Sequence, residues 1–147
     1  MMSSKAAVVI LAAIVLMTVG DVVAAKPEFV VVINESNPIS SVTTEQLARC
    51  FMKELSTWST GDPVVPVDQV ASSPVREAFS KAIHGRDVAA VKSFWQRQIF
   101  SGSGVPPAEL ASDAEVLDFV RANPGAIGYV AASTPLIDGV KVLPVTD

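Results

Sequence analysis

Hydrophobic residues along the chain form short continuous runs separated by stretches with helical periodicity. The run FVVVI at residues 29–33 is rich in β-branched residues, and it predicts a strand over 29–34 that is buried on both faces, as in parallel sheets. Within a later run, Pro66 lacks a backbone N–H and therefore favours a sheet edge or a strand end. Shorter runs predict further strands at residues 64–68, 126–131 and 140–144.

Residues suited to helix N-termini precede each helical stretch. Four starts are predicted, two with the spacing of a capping box and two with a single capping residue: Thr43 with Gln46, Ser112 with Glu115, Ser73 before Pro74, and Asp87. Apolar residues at intervals of three and four then predict the buried faces: Leu47, Cys50, Phe51 and Leu55; Val75, Ala78, Phe79, Ala82 and Ile83; Val88, Val91, Trp95 and Ile99; Val116, Leu117 and Val120. The order β-α-β-α-α-α-β-β predicts an α/β fold, with a parallel or mixed sheet flanked by helices.

The amino terminus has the pattern of a secretory signal peptide. Lys5 precedes an uncharged apolar stretch at residues 6–19, and small residues follow up to Ala25. A membrane anchor needs about 18 or more apolar residues, and Asp21 interrupts this stretch too early. We therefore expect cleavage near Ala25, a single domain over residues 26–147 without a membrane span, and a periplasmic or secreted location.

Composition and charge exclude several classes of protein. The chain of 147 residues carries a formal net charge of −4, which argues against non-specific nucleic-acid binding. With one cysteine and one histidine, the chain can form no internal disulfide, and a zinc site is disfavoured. It lacks the GxSxG, HExxH, P-loop and GxGxxG motifs. The sequence therefore gives no argument for an enzyme, a metal or a cofactor.

Candidate binding residues lie where the predicted strands end, because ligands of open α/β sheets bind beyond the carboxyl ends of the strands. These ends are residues 34–37, 68–73 and 129–133. Ser72 and Ser73 lie at a predicted helix N-terminus, which favours an anion, and Arg76 in the first turn could add a charged fork. The alternative is that Ser73 only caps its helix and that Arg76 is a solvated helix residue.

Other residues capable of chemistry have simpler interpretations. His84 precedes a glycine and is expected to cap a helix or to lie in solvent, while Cys50 lies on an apolar stripe and is expected to be a buried, inert thiol. Trp58 is expected to cover the edge of the core, and Trp95 belongs to a buried stripe. Four acidic residues read as a helix start and a solvated face: Glu109, Asp113, Glu115 and Asp118.

Three stretches of the chain together resemble a known family. They are VVINESNP at residues 31–38, the Ser-x-x-Arg-x-x-Phe element that begins at Ser73, and NPGAIGYV at residues 123–130. Trp58-x-x-Gly61 and residues 94–102 lie between them. In this order they resemble the substrate-binding proteins of phosphate ABC transporters, which have the type 2 periplasmic binding protein fold. The similarity covers about residues 29–131.

The resemblance implies a fold with one lobe. Full-length members clamp phosphate between two α/β lobes, and this chain is long enough for one and is similar to the second. The short, secreted, single-lobe members labelled phosphate-transport substrate-binding-like resemble it best. The expected fold is therefore a single lobe of a type 2 periplasmic binding protein, with a parallel or mixed sheet flanked by helices.

The candidate anion loop departs from the family pattern. Ser73-Pro74-Val75-Arg76 stands where the family has Ser-Gly-Thr followed by Thr or Arg, so Pro74 removes an N–H donor and Val75 removes a hydroxyl. Gln69 and Ala71 occupy the places of an Arg and an Asp, and the family's Phe-x-Gly after the first helix is Phe-Met-Lys at residues 51–53. Because about three hydrogen bonds are lost, we expect phosphate affinity to be roughly millimolar or weaker, and to fall further in Ser73→Ala or Arg76→Ala.

Two functions remain open at this point. The first is oxyanion or solute binding beside a transporter, with weak or lost phosphate affinity, by the candidate contacts Ser72, Ser73, Arg76, Asn34 and Ser36. The second is an interaction module in an envelope transport or sensing complex, which keeps the fold without the ligand. An exposed cleft face invites a partner protein or a homodimer. No nucleic acid and no cofactor is expected.

Overall fold

The computed structural model describes residues 28–147, so the predicted signal peptide over residues 1–25 lies outside the described residues. The strands are β1 (Phe29–Asn34), β2 (Val42–Thr43), β3 (Val65–Gln69), β4 (Ala108–Leu110), β5 (Ala126–Ala131), β6 (Val140–Val142) and β7 (Val145–Thr146). The helices are α1 (Thr44–Phe51), α2 (Pro74–Phe79), α3 (Val88–Phe100) and α4 (Asp113–Ala122). A π-helical segment, Ser80–His84, continues α2.

Five strands form one mixed sheet in the order β4-β3-β5-β1-β6. Strands β3, β4 and β5 are parallel, whereas β1 runs antiparallel to both of its neighbours, β5 and β6. The predicted mixed α/β sheet is confirmed, and β1 is an interior strand, largely buried. The expectation that its continuous apolar run marks a strand with parallel neighbours is wrong, because burial on both faces requires only cover above and below the strand.

Alternate residues of the central strands face two hydrophobic clusters on opposite sides of the sheet. Val31 and Ile33 of β1 join α1, Phe79 and Tyr129 on one side. Val32 packs on the other side against α4, whose buried residues are the predicted Val116, Leu117 and Val120. The period of two along β1 and β5 therefore places a helix layer on each face of the sheet.

The predicted helix starts are observed, with one change of partner. Thr43 and Gln46 form the reciprocal capping box at α1, and Ser73 and Asp87 cap α2 and α3. Ser112 accepts the N–H of Glu115 as predicted, but the Glu115 carboxylate accepts the N–H of Ala111 instead of the N–H of the capping residue. The second predicted capping box is therefore only half formed.

Three local expectations need correction. Helix α1 ends at Phe51 and does not extend to Leu55, because Lys53 adopts a φ of 57° and reverses the chain. Ile99 was expected in the buried stripe of α3 but is 53% exposed. Strands of two or three residues at β2, β4 and β7 were not predicted, since such short segments show no recognisable period.

Strand β3 is confirmed despite its proline. Pro66 pairs with Ile127 of β5, while β4 pairs only with Val67 and the two residues that follow it. The proline thus lies near the start of the strand, where no β4 residue is paired with it, in agreement with its missing N–H donor. Among residues 28–147, no helix is both long enough and apolar enough to cross a bilayer.

Candidate functional site

Strands β3, β4 and β5 are parallel, so their carboxyl ends meet at one edge of the sheet, which we call the carboxyl edge. Helix α2 begins there after β3, and helix α4 begins there after β4. The sequence-predicted residues Ser72, Ser73 and Arg76 all lie at this edge, around the first turn of α2. Helix N-termini at the carboxyl ends of strands are where open α/β sheets bind ligands.

Arg76 is buried at this edge, with 4% of the residue exposed. Its guanidinium donates to the carbonyl oxygen of Gln69 at 2.9 Å and to the Glu109 carboxylate at 2.7 Å. Its Nε also lies 3.7 Å from the Asp68 carboxylate. The alternative that Arg76 is a solvated helix residue is therefore wrong, and two carboxylates of the chain itself already compensate its charge.

Ser73 acts as the N-cap of α2 and also belongs to the hydrogen-bond network around Arg76 and Gln69, which we call the buried network. Its hydroxyl oxygen accepts the N–H of Arg76 at 3.4 Å, and its hydroxyl donates to the Gln69 side-chain oxygen at 2.8 Å. Pro74 at the first helical position carries no N–H. Ser72 precedes the cap and is exposed. Of the two serines, only Ser72 has its hydroxyl outside this network.

Asp113 at the start of α4 places a carboxylate against donors of the carboxyl edge. One oxygen accepts from Gln69 Nε2 at 2.7 Å, and the other accepts from the Thr134 hydroxyl at 2.7 Å and from the Ala131 N–H at 3.3 Å. An oxyanion at this position would use the same donors. Asp113 lies at the start of α4 as expected, but its carboxylate is held by these donors and is not free in solvent.

Tyr129 of β5 is the most deeply buried member of the network. Its hydroxyl donates to the Asp68 carboxylate at 2.5 Å and accepts the N–H of Gln69 at 3.1 Å. Burial raises the pKa of Asp68 above its ordinary value; the Arg76 charge and this hydrogen bond act in the opposite direction, and Glu109 adds to the rise. Burial, followed by the Asp68 charge, raises the pKa of Tyr129, so the phenol stays protonated.

The other two predicted contacts, Asn34 and Ser36, lie at the opposite edge of the sheet. Because β1 is antiparallel to β5, its carboxyl end lies beside the beginning of β5. The Asn34 amide donates to the carbonyl oxygens of Val120 and Arg121 at 2.9 Å each, and its oxygen accepts from Ser36. Asn34 thus caps the C-terminus of α4, and the structure does not bring it together with Ser73 and Arg76.

Four members of this network were not among the predicted contacts, although residues 68 and 129 begin two of the predicted strand ends: Asp68, Glu109, Asp113 and Tyr129. Glu109 was expected on a solvated face but lies on β4, where it pairs with Arg76. The only signal for Asp68 was its position directly after the apolar run that predicts β3. Such a position marks the end of a strand, where charged side chains can converge.

A cavity of about 130 Å³ lies between this network and α3. Two cations and two carboxylates line it: Arg76, Lys92, Asp68 and Glu109. Trp95, which is buried as predicted, and Ile99 form part of its apolar wall. Within residues 28–147, no cluster of three or more His, Cys, Asp or Glu residues is arranged to hold a metal ion.

Three further residues singled out from the sequence are structural. Cys50 is a buried free thiol as expected, and burial raises its pKa to about 11. His84 neither caps α2 nor projects into solvent: Gly85 ends the π-helical segment with a φ of 64°, and the half-buried imidazole packs edge-on against Phe79 at 5.7 Å. Trp58 is buried, and its indole N–H donates to the carbonyl oxygen of Gly125 at 2.9 Å.

Comparisons with known proteins agree with this architecture. A profile of the family described as "PBP superfamily domain" matches residues 21–145. An ABC-type phosphate transport receptor from Vibrio cholerae superposes with a TM-score of 0.63 at 20% identity, over 80% of this chain and 46% of its own. A phosphate ABC transporter substrate-binding protein from Clostridium perfringens, solved with bound phosphate, gives 0.62 at 19% identity, over 80% and 44%.

PstS from Borrelia burgdorferi superposes with a TM-score of 0.58 at 17% identity, over 82% of this chain and 47% of its own. At these identities the likeness concerns the fold alone. The chain spans less than half the length of each of these solved structures, which corresponds to about one lobe. No curated protein sequence matches the chain.

Proposed function

Because the chain belongs to the PBP superfamily domain family, we propose that it is an exported, non-catalytic binding module that binds free phosphate weakly or not at all. The family is of the periplasmic binding protein kind, whose members bind solutes and typically catalyse no reaction. The phosphate-binding-protein-like fold of this chain is established at low identity. The proposal concerns what this particular lobe has retained of phosphate binding.

The pairing of Arg76 is the observation that carries the proposal. A tight oxyanion site needs a cation whose donors are free to turn toward the ligand. Among the described residues, Arg76 is the only arginine at the carboxyl edge, and its guanidinium is held between Glu109 and Asp68. A phosphate ion would have to displace a carboxylate and leave that carboxylate without its partner, so much of the gain from the new contact would be lost.

Asp113 supports the same conclusion from the other side of the edge. Its carboxylate already takes hydrogen bonds from Gln69, Thr134 and the backbone of Ala131. A second anion nearby would meet a negative charge and would find these donors occupied. The solved relative from Clostridium perfringens contains phosphate, whereas the carboxyl edge of this chain has carboxylates of its own against Gln69 and Arg76, which supports weak binding of a further anion.

Isothermal titration with phosphate and with sulfate tests the proposal. We expect a dissociation constant of about 1 mM or weaker for the protein expressed from its full sequence. Glu109→Gln removes one carboxylate from Arg76 and keeps the side-chain size, so we expect phosphate affinity to rise by roughly tenfold. Asp118→Asn makes the same change of charge at an exposed site away from Arg76 and should leave the affinity unchanged.

Submicromolar phosphate binding by the unaltered protein would show that donors outside this network complete a site, and the proposal would then fail. If Glu109→Gln binds phosphate no better than Asp118→Asn, the neutralisation of Arg76 is not the cause of the weak affinity. Arg76→Ala is a poor test on its own. It leaves the buried Asp68 carboxylate without its cation, so instability would be confused with lost binding.

A second candidate function is favoured by the surface near the end of α3. Phe100 is 93% exposed, and two further apolar side chains on the same segment, Ile99 and Val105, are also exposed. Large apolar side chains exposed close together in the chain are a feature of protein-interaction sites. A module that keeps the fold and contacts another envelope protein is therefore the alternative to solute binding.

A further inference from the structure

A groove of about 630 Å³ runs between α1 and α3, away from the carboxyl edge, and we call it the α1–α3 groove. Its floor consists of apolar side chains, among them Met52, Ile83, Val91 and Phe94. Phe94 is half-buried, and its ring lies edge-on to that of its chain neighbour Trp95, with centroids 5.1 Å apart. Met and aromatic residues at the centre of a concave surface are enriched in protein interfaces.

Arginines stand on the rim of the α1–α3 groove. Arg49 comes from α1, Arg86 from the loop directly before the N-cap of α3, and Arg97 from the last turn of α3. Two glutamates, Glu45 and Glu54, also line the rim, and Glu54 lies 3.9 Å from Arg49. Three of the five arginines of an acidic chain therefore surround one groove.

The two arginines on the α3 side have no partner of opposite charge. Arg76, Arg121 and Arg49 each have a carboxylate within 4.0 Å, whereas within residues 28–147 Arg86 and Arg97 have none. Both side chains are exposed. An unpaired guanidinium offers a planar set of donors that fits a carboxylate in two parallel hydrogen bonds.

The apolar surface continues beyond the groove along α3. Phe100 follows Arg97 by three residues, which places the two side chains next to each other on the helix surface. A small anion could pair with the arginines but would leave Phe100 in water. An occupant that covers both the guanidinium groups and the exposed aromatic ring must be longer and must itself carry apolar side chains.

We propose that the α1–α3 groove, with Arg86 and Arg97 on its rim and Phe100 at its end, docks an acidic amphipathic segment of a partner protein. Carboxylates of the segment pair with the guanidinium groups, and its apolar side chains cover Phe94 and Phe100. This inference does not depend on phosphate affinity at the carboxyl edge. The two proposals can therefore fail separately.

The single histidine of the chain lies in the groove and reports on its occupation. Proton NMR of His84 needs no residue assignment, because no other imidazole is present. The probe is a helical peptide of glutamates and leucines with its apolar and acidic faces separated. The control peptide has the same leucines, with glutamine in place of every glutamate.

We expect the acidic peptide to shift the His84 signals with saturation below about 1 mM, and the glutamine peptide to bind at least about tenfold more weakly. Arg86→Gln combined with Arg97→Gln should weaken binding of the acidic peptide by about tenfold or more. Lys92→Gln combined with Lys141→Gln removes the same charge outside the groove and should not. Phe100→Ala should weaken binding and leave the thermal midpoint unchanged, because the ring is exposed in the free protein.

Three outcomes would overturn the proposal. The first is no shift of His84 up to about 1 mM peptide, or equal affinity in the arginine and lysine double variants. The second is an equal effect of inorganic pyrophosphate alone, which would make the groove a small-anion site. The third is a shift of His84 with protein concentration in the absence of peptide, which would assign the groove to a second copy of the chain.

Discussion

The buried hydroxyl of Tyr129 makes two hydrogen bonds, in one as the donor and in the other as the acceptor. Its ring stacks on Phe79 with centroids 3.9 Å apart, and its hydroxyl reaches Asp68 and the N–H of Gln69. A buried polar atom that loses its partner costs more than the net value of the hydrogen bond. The ring of Tyr129 therefore fills part of the core, while its hydroxyl stabilises the end of β3.

We expect Tyr129→Phe to keep the ring packing and to destabilise the protein by about 1–3 kcal/mol, because the Gln69 N–H and the Asp68 carboxylate each lose a partner. Urea denaturation monitored by far-UV circular dichroism measures this change in the free energy of unfolding. Ser101→Ala removes an exposed hydroxyl and should change it by less than about 0.5 kcal/mol. Equal effects of the two substitutions would contradict the role of the buried hydroxyl.

His84 gives the protein a dependence of stability on pH. Burial, followed by the charges of Arg86 and Arg76, lowers the pKa of His84 to about 4. In the unfolded chain the imidazole titrates near its ordinary value of 6.5. Between these two values the unfolded state binds a proton that the folded state does not, so stability is complete above pH 6.5 and falls as the pH decreases toward 4.

For this half-buried imidazole, after allowance for solvent screening, we expect a loss of about 1–2 kcal/mol between pH 7 and pH 4. Urea denaturation at several pH values, compared with His84→Phe, isolates the contribution, because phenylalanine keeps the packing on Phe79 without a titrating group. The slopes of the two proteins should diverge below pH 6.5. Parallel slopes over the whole range would show that His84 is protonated as easily in the folded state as in the unfolded state.

At the scale of elements, the contact of α4 with the sheet depends on a glycine in β5. A Cβ at Gly128 would lie 2.7 Å from Val116 Cγ1 of α4 and 3.1 Å from Val67 Cγ2 of β3. Both neighbours are β-branched valines with stiff side chains, so neither can move away easily. The glycine therefore sets how closely the helix approaches the two strands.

We expect Gly128→Ala to destabilise the protein by about 1–3 kcal/mol through overpacking. Adding Val116→Ala should recover part of this loss, since it removes the methyl group that the new Cβ meets. Thermal or urea denaturation of the single and double variants gives the coupling energy. Gly104→Ala, whose Cβ would make an ordinary 3.7 Å contact with Trp95, is the control and should be close to neutral.

Helix ends also hold the elements in register. Asn34 at the end of β1 donates to the carbonyl oxygens of Val120 and Arg121 in the last turn of α4, where intrahelical donors run out; that of Val120 also accepts the N–H of Asn123. The Asn34 amide therefore fixes the C-terminus of the helix against the edge of the sheet opposite to the candidate site. The polar turn after β1, whose sequence also suited a binding loop, therefore has a structural role.

At the scale of the whole molecule, the prediction of export rests on residues outside the described structure. We expect the mature protein to begin near Lys26 and to be found in the periplasm or the medium. Leu11→Arg, within the apolar stretch, should block processing, whereas Ser3→Arg outside it should not. N-terminal sequencing of the exported protein decides the matter, and retention of Met1 would contradict the prediction.

Local sequence patterns were sufficient for the four helix starts, the longer strands and the fold class, but not for the short strands β2, β4 and β7. The helix starts at Thr43, Ser73, Asp87 and Ser112 depend on residues within three positions of each other, and the sequence shows them directly. The long strands follow from their apolar runs. The resemblance was likewise carried by short motifs; the family comparison shows the PBP superfamily domain, and the solved phosphate-binding proteins share the fold.

Tertiary structure alone decided what the candidate site contains. The direction of β1, which moves Asn34 and Ser36 to the far edge, depends on which strands it pairs with and leaves no mark on its own residues. Arg76 meets Glu109, 33 positions away, only because β3 and β4 are neighbours. Local periodicity encodes how a segment folds, whereas strand order and direction bring distant charges together, so the free or paired state of Arg76 could be read only from the packed sheet.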